Sequence, residues 1–247
     1  MDSARLLEAL ADNFARLREV ASLDLAARVP TCPEWTVAEL ARHVANGYLN
    51  IVVRRVRLPE QTPAEDLSGW DPIEALDRGY AALTGEFAVH SPDEPVGRRS
   101  GETVRFWIRR MAHETAIHRV DAELAVGEPM VPIPRSFAVD GVEEMLSVFL
   151  EHETHAFPED YRAHLTDWGD RWVLVAAGDS GWRVTVRPDG AIVGPAGAGD
   201  VPAATVRGEP VAMVLWLWNR GGDVTIDGDR ELVDRLRALL DAAAGIS

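Results

Sequence analysis

Three side chains in this sequence are of the types that hold a catalytic metal, and their spacing lets them converge. They are His43, in the segment 36–50, and Glu114 with His118, in the segment 109–123. On an α-helix, at about 100° per residue, Glu114 and His118 stand roughly 40° apart on one face. His113 lies roughly 140° from His118 around the same helix and is a weaker ligand candidate. Its spacing also removes the zinc-protease pattern, which needs two histidines four apart. Two histidines and a glutamate suit catalytic zinc, with a position left open for water or substrate. The same set suits a non-haem iron with open positions. By spacing alone, the commoner reading is an ordinary helical Glu-His pair and an unrelated histidine.

Convergence requires that both segments be helical, and both read so. Within Pro33-Glu34-Trp35-Thr36-Val37-Ala38-Glu39-Leu40, Thr36 can cap a helix while Glu39 bonds back to the cap backbone, which puts His43 about two turns inside. That helix is expected over 37–56, with Pro59 closing it. Before it, residues 4–20 place Leu6, Leu7, Leu10, Phe14 and Leu17 at helical spacing. Asp71-Pro72 opens a helix to about Val89 with a cap and a first-turn proline. A loop rich in Pro, Gly and charge, 91–101, leads into the helix of Glu114 and His118 over 102–126, and 137–153 reads as a further helix. The expectation is a bundle of about five helices over residues 1–165.

The character changes near Asp167. Residues 171–176 and 182–187 read as strands joined across Gly178-Asp179-Ser180-Gly181, with further strands at 203–207 and 223–226 and helices at 210–218 and 230–243. Residues 166–247 therefore form a small α+β domain. Gly178-Asp179-Ser180-Gly181 mimics a serine-protease nucleophile signature, but no histidine follows His164 to complete a triad, so it reads as a hairpin turn. The Gly-rich run 194–199 lacks the order of a dinucleotide loop and reads as a loop. His152 and His155 lack a specified third ligand and read as a solvated face. Cys32 precedes a helix start that would favour a thiolate, yet it reads as a small, half-buried thiol. Asp121, three residues after His118, is placed to orient that ligand from behind. Trp216 and Trp218 face nearly opposite directions on their helix and cannot both fill one core. Arg220, just beyond them, is the candidate catalytic residue outside the metal set. Its paired donors suit a substrate carboxylate, and its alternative is to stabilise a helix C-terminus.

Composition narrows the partners. A formal charge of -15 and a pI near 4.8 argue against nucleic acid, whose phosphates such a surface repels. The Arg54, Arg55 and Arg57 cluster falls at an expected helix end, where cations favour the dipole. One cysteine excludes an internal disulfide and fits a reducing compartment. The N-terminus lacks a basic start followed by an apolar run, and no segment has the length to span a bilayer. The expected location is the cytoplasm, with neither membrane nor nucleic acid as partner.

The wording of the segments adds a resemblance. Val29-Pro30-Thr31-Cys32-Pro33-Glu34-Trp35-Thr36-Val37-Ala38-Glu39-Leu40-Ala41-Arg42-His43 resembles the N-terminal signature of the mycothiol-dependent maleylpyruvate isomerase family, a branch of the DinB-like metal-binding helical bundles. His113-Glu114-Thr115-Ala116-Ile117-His118-Arg119-Val120-Asp121-Ala122 is similar to the family's second signature. Gly208-Glu209-Pro210 through Asn219-Arg220 and Val224 to Asp229 is similar, more loosely, to its smaller C-terminal domain, where members commonly have a glycine at the place of Asn219. The resemblance implies a DinB-like bundle followed by a sterol-carrier-like α+β domain. It also implies a divalent metal, usually zinc, on His43, Glu114 and His118, with mycothiol as thiol cosubstrate. The implied reaction is addition of the thiolate to a small electrophile, as isomerase or S-transferase. A protein that binds a metal or an apolar small ligand without turnover is the alternative.

Overall fold

The computed structural model describes residues 1–57, 64–96, 102–197, 199 and 201–245. Pro59 and parts of the expected loops at 91–101 and 194–199 lie outside the described residues. The chain divides into two compact units between Val131 and Pro132.

The first unit is helical. Helix α1 (Ser3–Ala21) buries Leu6, Leu10, Phe14 and Leu17 of its expected stripe and leaves Leu7 half-buried at the edge, and it packs on α5 (Val104–Val126). Phe14 also stacks on Tyr80 of α4 (Pro72–Val89), with ring centroids 3.6 Å apart. Helix α2 (Val37–Asn46) starts with the expected capping box: Glu39 N donates to Thr36 Oγ1 at 3.4 Å, and Thr36 N donates to the Glu39 carboxylate at 2.6 Å. The expected single helix over 37–56 is wound in three parts. A π-helical stretch, π1 (Gly47–Val53), follows α2 directly and leads into α3 (Arg54–Arg57). Tyr48 of π1 is fully buried and its hydroxyl meets Thr115 Oγ1 of α5 at 2.6 Å.

Helix α5 begins at the Thr103 cap and ends at Gly127, whose φ of 73° is the left-handed conformation that glycine adopts without strain. It is buried on most of its surface although it carries Arg110, His113, His118, Arg119, Asp121 and Glu123. Charged groups persist in such a place only when partners satisfy them. Arg119 does so at Glu123 (2.5 Å), Asn13 Oδ1 (3.1 Å) and the Val131 carbonyl (2.9 Å), and Arg16 reaches Glu123 at 3.0 Å.

The second unit is a five-stranded mixed sheet with helices, ordered β3-β2-β1-β4-β5. Strands β1 (Trp172–Ala177) and β2 (Ser180–Arg187) form the expected hairpin, closed by Gly178 and Asp179 with Gly178 at a φ of 58°. Strand β3 (Gly190–Pro195) falls on residues with no strand expectation and pairs antiparallel with β2. Strand β4 (Ala204–Gly208) runs parallel to β1, and β5 (Thr225–Gly228) pairs antiparallel with β4.

Residues 135–161, where one helix over 137–153 is expected within the bundle span 1–165, form α6 (Arg135–Glu144), π2 (Met145–His152), α7 (Glu153–Ala156) and α8 (Pro158–Tyr161) and lie in the second unit. The physical reason is the edge of the sheet. The outward backbone N–H groups of β3 donate to side chains of these helices, Ala191 N to Thr154 Oγ1 (2.9 Å) and Val193 N to Glu151 Oε1 (3.0 Å). An unpaired edge is a liability, and the helical segment covers it. Helix α9 (Pro210–Leu217) packs on α6, while α10 (Arg230–Ala243) packs on β4 and π2.

Candidate metal centre

His43 extends from α2, and Glu114 and His118 from α5, one turn apart. Their donor atoms all lie within 4.8 Å of one another, the one such group of three among the described residues. Glu114 Oε1 is the hub, 3.0 Å from His118 Nε2 and 3.4 Å from His43 Nε2. The imidazoles meet edge to face, with centroids 4.9 Å apart. Donors around a tetrahedral zinc, each about 2.1 Å from the ion, stand roughly 3.4 Å from one another. The residues present therefore fit a divalent cation.

The outer atoms of the cluster are held as well. Arg110 bonds to Glu114 Oε2, which leaves Oε1 facing the histidines. His118 Nδ1 lies 3.0 Å from Asp121 Oδ2, and Thr31 Oγ1 donates to Asp121 Oδ1 at 2.6 Å. A carboxylate behind an imidazole fixes the ring and its tautomer, the usual arrangement around ligating histidines. Trp35 lies against His43, its ring centroid 4.7 Å away. His43 is the open side of the group: its side chain is 42% exposed, that of His118 10%.

The electrostatics follow from this crowding. Burial disfavours a charged Glu114, but the charges of His118 and Arg110 and the hydrogen bonds from both histidines outweigh it and hold the carboxyl well below its usual range. Burial likewise opposes a charged His118, yet Glu114 and Asp121 raise its pKa to about 9. Without an ion, a proton on His118 supplies the positive charge that these acceptors require.

Of the other singled-out residues, His113 is buried on α5 but lies outside the group of three. Arg220 lies in the second unit, where its guanidinium donates to the Trp218 carbonyl. Asn219 has a φ of 59°, a left-handed conformation that favours glycine and that asparagine tolerates better than most residues. Trp218 is buried and meets Phe149 edge to face, whereas Trp216 lies half-buried under Arg237. His155 packs over Gly190, and among the described residues neither it nor His152 belongs to a group of three potential ligands. Sequence reasoning missed Arg110 and Thr31. Arg110 was readable, one turn before Glu114, whereas Thr31 meets Asp121 across 90 residues and left no local signal.

A helical unit carrying a two-histidine, one-carboxylate group is followed in the chain by a mixed-sheet unit. Residues 7–123 match the mycothiol maleylpyruvate isomerase N-terminal domain, and residues 136–235 match the C-terminal domain of the same proteins. The chain belongs to the mycothiol-dependent maleylpyruvate isomerase family. Its fold is that of the crystal structure of the mycothiol-dependent maleylpyruvate isomerase, at 17% identity and a TM-score of 0.60 over 92% of this chain and 93% of that one. A histidine-to-alanine mutant of that enzyme matches over the same shares, at 16% identity and a TM-score of 0.60. A UbiJ-SCP2 ubiquinone synthesis protein is matched over 46% of this chain and 98% of its own, at 21% identity and a TM-score of 0.32. No curated protein matches the sequence. No helix among the described residues is long and apolar enough to cross a membrane.

Proposed function

We propose that this chain is a metal-dependent enzyme that uses mycothiol and adds its thiolate to a small electrophile, either in maleylpyruvate-like cis-trans isomerisation or in S-transfer. The observation that carries this reading is the convergence of His43 Nε2 and His118 Nε2 on Glu114 Oε1. These three residues would hold a divalent metal, zinc by the donor set, which would keep a bound thiol ionised at neutral pH.

The chain's own groups prepare that site. Arg110 restrains Glu114 so that one oxygen is presented, and Asp121 takes the outer nitrogen of His118, leaving Nε2 with its lone pair. The exposed flank of His43 is the side from which a substrate approaches, and Trp35 walls it. Isomerisation of a cis double bond by a thiol needs addition at one carbon, rotation about the resulting single bond and expulsion of the same thiolate. Nothing is oxidised, and the thiol is regenerated. In S-transfer the new C–S bond is kept instead. Arg220, whose guanidinium also donates to the Trp218 carbonyl, is proposed to grip a substrate carboxylate. Composition supports a cytoplasmic location and no nucleic-acid partner.

The test is metal content of the purified protein and of its His43→Ala and His118→Ala variants, followed by mycothiol binding to the metal-loaded form. Stoichiometric zinc that both variants lose, with thiol binding by the parent, is the expected result. A parent protein that holds no metal and takes none up on reconstitution overturns the reading and leaves a small-ligand-binding protein.

A further inference from the structure

We propose that Thr31 is a positioning residue for the metal centre: through Asp121 it fixes His118, and the loop that carries it also braces His43. The inference rests on the metal reading above and extends it to a residue outside the ligand set.

The two oxygens of Asp121 serve different partners. Oδ2 faces His118 Nδ1 at 3.0 Å, and Oδ1 accepts the Thr31 hydroxyl at 2.6 Å. Asp121 is fully buried, so its orientation is set by such bonds rather than by water. A carboxylate that rotates freely about its terminal torsion orients an imidazole poorly; anchoring its second oxygen removes that freedom. Thr31 thus acts on His118 at one remove.

Its own position is fixed by the loop. Residues 29–35 close on themselves, with Val29 N donating to the Trp35 carbonyl (3.0 Å) and Trp35 N to the Cys32 carbonyl (2.8 Å). At the far end of this closed loop the Trp35 ring lies against His43, and Thr36 caps the helix that carries it. One short loop therefore touches both histidines, His118 through Thr31 and Asp121, His43 through Trp35. A change at Thr31 is transmitted to a ligand on a different helix, and the geometry of the ligand set depends on a hydroxyl that never meets the ion.

The experiment measures zinc affinity of the full-length protein by competition with a chromophoric chelator, and the visible spectrum of the cobalt-loaded form. Wild type is compared with Thr31→Val, Thr31→Ser and Asp121→Asn. Asp121→Asn is expected to weaken zinc binding about 10- to 100-fold. Thr31→Val, which removes the hydroxyl and keeps the shape, is expected to weaken it roughly 5- to 10-fold and to shift the cobalt spectrum. Thr31→Ser restores both. Thermal unfolding of the metal-free proteins separates this from a loss of fold, since a purely structural role moves the melting temperature without following the hydroxyl in the spectrum. If Asp121→Asn does not fold, the Thr31 pair decides. Wild-type affinity and spectrum in Thr31→Val, or equal losses in Thr31→Ser and Thr31→Val, overturn the inference and leave the metal reading intact. A wild type that binds no zinc overturns both.

Discussion

Two of the charged pairs that helix α5 carries at four-residue spacing, Glu114 with His118 and Arg119 with Glu123, have opposite fates. Arg119 and Glu123 are closed off, their side chains 2% and 1% exposed, with Arg16, Asn13 and the Val131 backbone completing their hydrogen bonds. Glu114 and His118 meet a third group from another helix as well, but that group is His43, half open to solvent. The difference lies in the third partner. Arg16 from α1 brings donors to an acceptor and cancels charge, so the first cluster is complete without a ligand. His43 from α2 brings a further potential ligand atom to a carboxylate and an imidazole, and a cation is what we propose completes the second cluster. Spacing along one helix does not separate a structural pair from a ligand pair; the element packed against it does.

The sharpest way to break that comparison is to remove one carboxylate from each cluster. Glu114→Gln is expected to abolish stoichiometric zinc binding and activity while leaving a folded protein. Glu123→Ala removes the carboxylate partner of the buried Arg119 and of the half-buried Arg16 and is expected to cost about 3 kcal/mol of stability. Zinc per folded molecule should be unchanged in that variant. Urea denaturation and metal analysis on the same samples read both quantities. If Glu123→Ala loses metal while keeping its stability, the two clusters are not distinct in kind.

Proton release sharpens the comparison further. In the metal-free protein, the raised pKa of His118, about 9 against an ordinary 6.5, means that the ring is protonated at neutral pH, and on the proposed reading zinc would have to displace that proton. Apparent zinc affinity should therefore climb with pH, approaching tenfold per unit between about 7 and 9, and then level off. Titration calorimetry in buffers of different ionisation enthalpy measures the proton count directly. The linkage sign for the metal-free fold follows from the same two groups. The contribution of His118 is fully present below its ordinary pKa and lost as pH rises through about 9. That of Glu114, whose pKa is depressed, is present above the ordinary carboxyl range and lost as pH falls. A pH-independent affinity over this range removes the account of the empty site's charge.

On the helix that carries His43, Thr36→Ala removes half of the capping box and is expected to cost about 1 kcal/mol. Because His43 lies on that helix, zinc affinity should fall slightly along with stability. Chemical denaturation and chelator competition should show both effects to be small.

What was legible follows the same division between local and distant partners. The capping box at Thr36, the stripe on α1 and the four-residue step from Glu114 to His118 are local, and the structure places each as its spacing predicts. Burial of Arg119 was not legible, because its partners on α1 and at Val131 are set by packing. Strand β3 was hidden by glycines at both its ends and a terminal proline, and it exists because β2 and the helical cover satisfy it from either side. That cover is also why the helices after Pro134 pass to the second unit: an amphipathic helix announces that it buries a face, not which neighbour it buries it against.

The smallest expected effect comes from the second unit, at a position where local chemistry was informative. Asn219 follows α9 with a φ of 59°, and its backbone N–H still reaches the Trp216 carbonyl at 3.0 Å. Arg220 N–H then bonds to the Leu215 carbonyl at 2.8 Å. Both bonds terminate the helix, and the second, which closes around Asn219, requires its left-handed conformation. Asn219→Gly relieves the clash of a side chain in that conformation and should be neutral or stabilising by a few tenths of a kcal/mol, with the extra freedom of glycine in the unfolded chain offsetting part of the gain. Asn219→Val should cost about 1–2 kcal/mol, since a β-branched residue is least suited to positive φ. Thermal unfolding of the pair decides it. A valine tolerated as well as glycine would mean that the turn re-forms without its left-handed residue. Zinc content should be the same in both variants, whereas exchanging any of the three donors on α2 and α5 removes it.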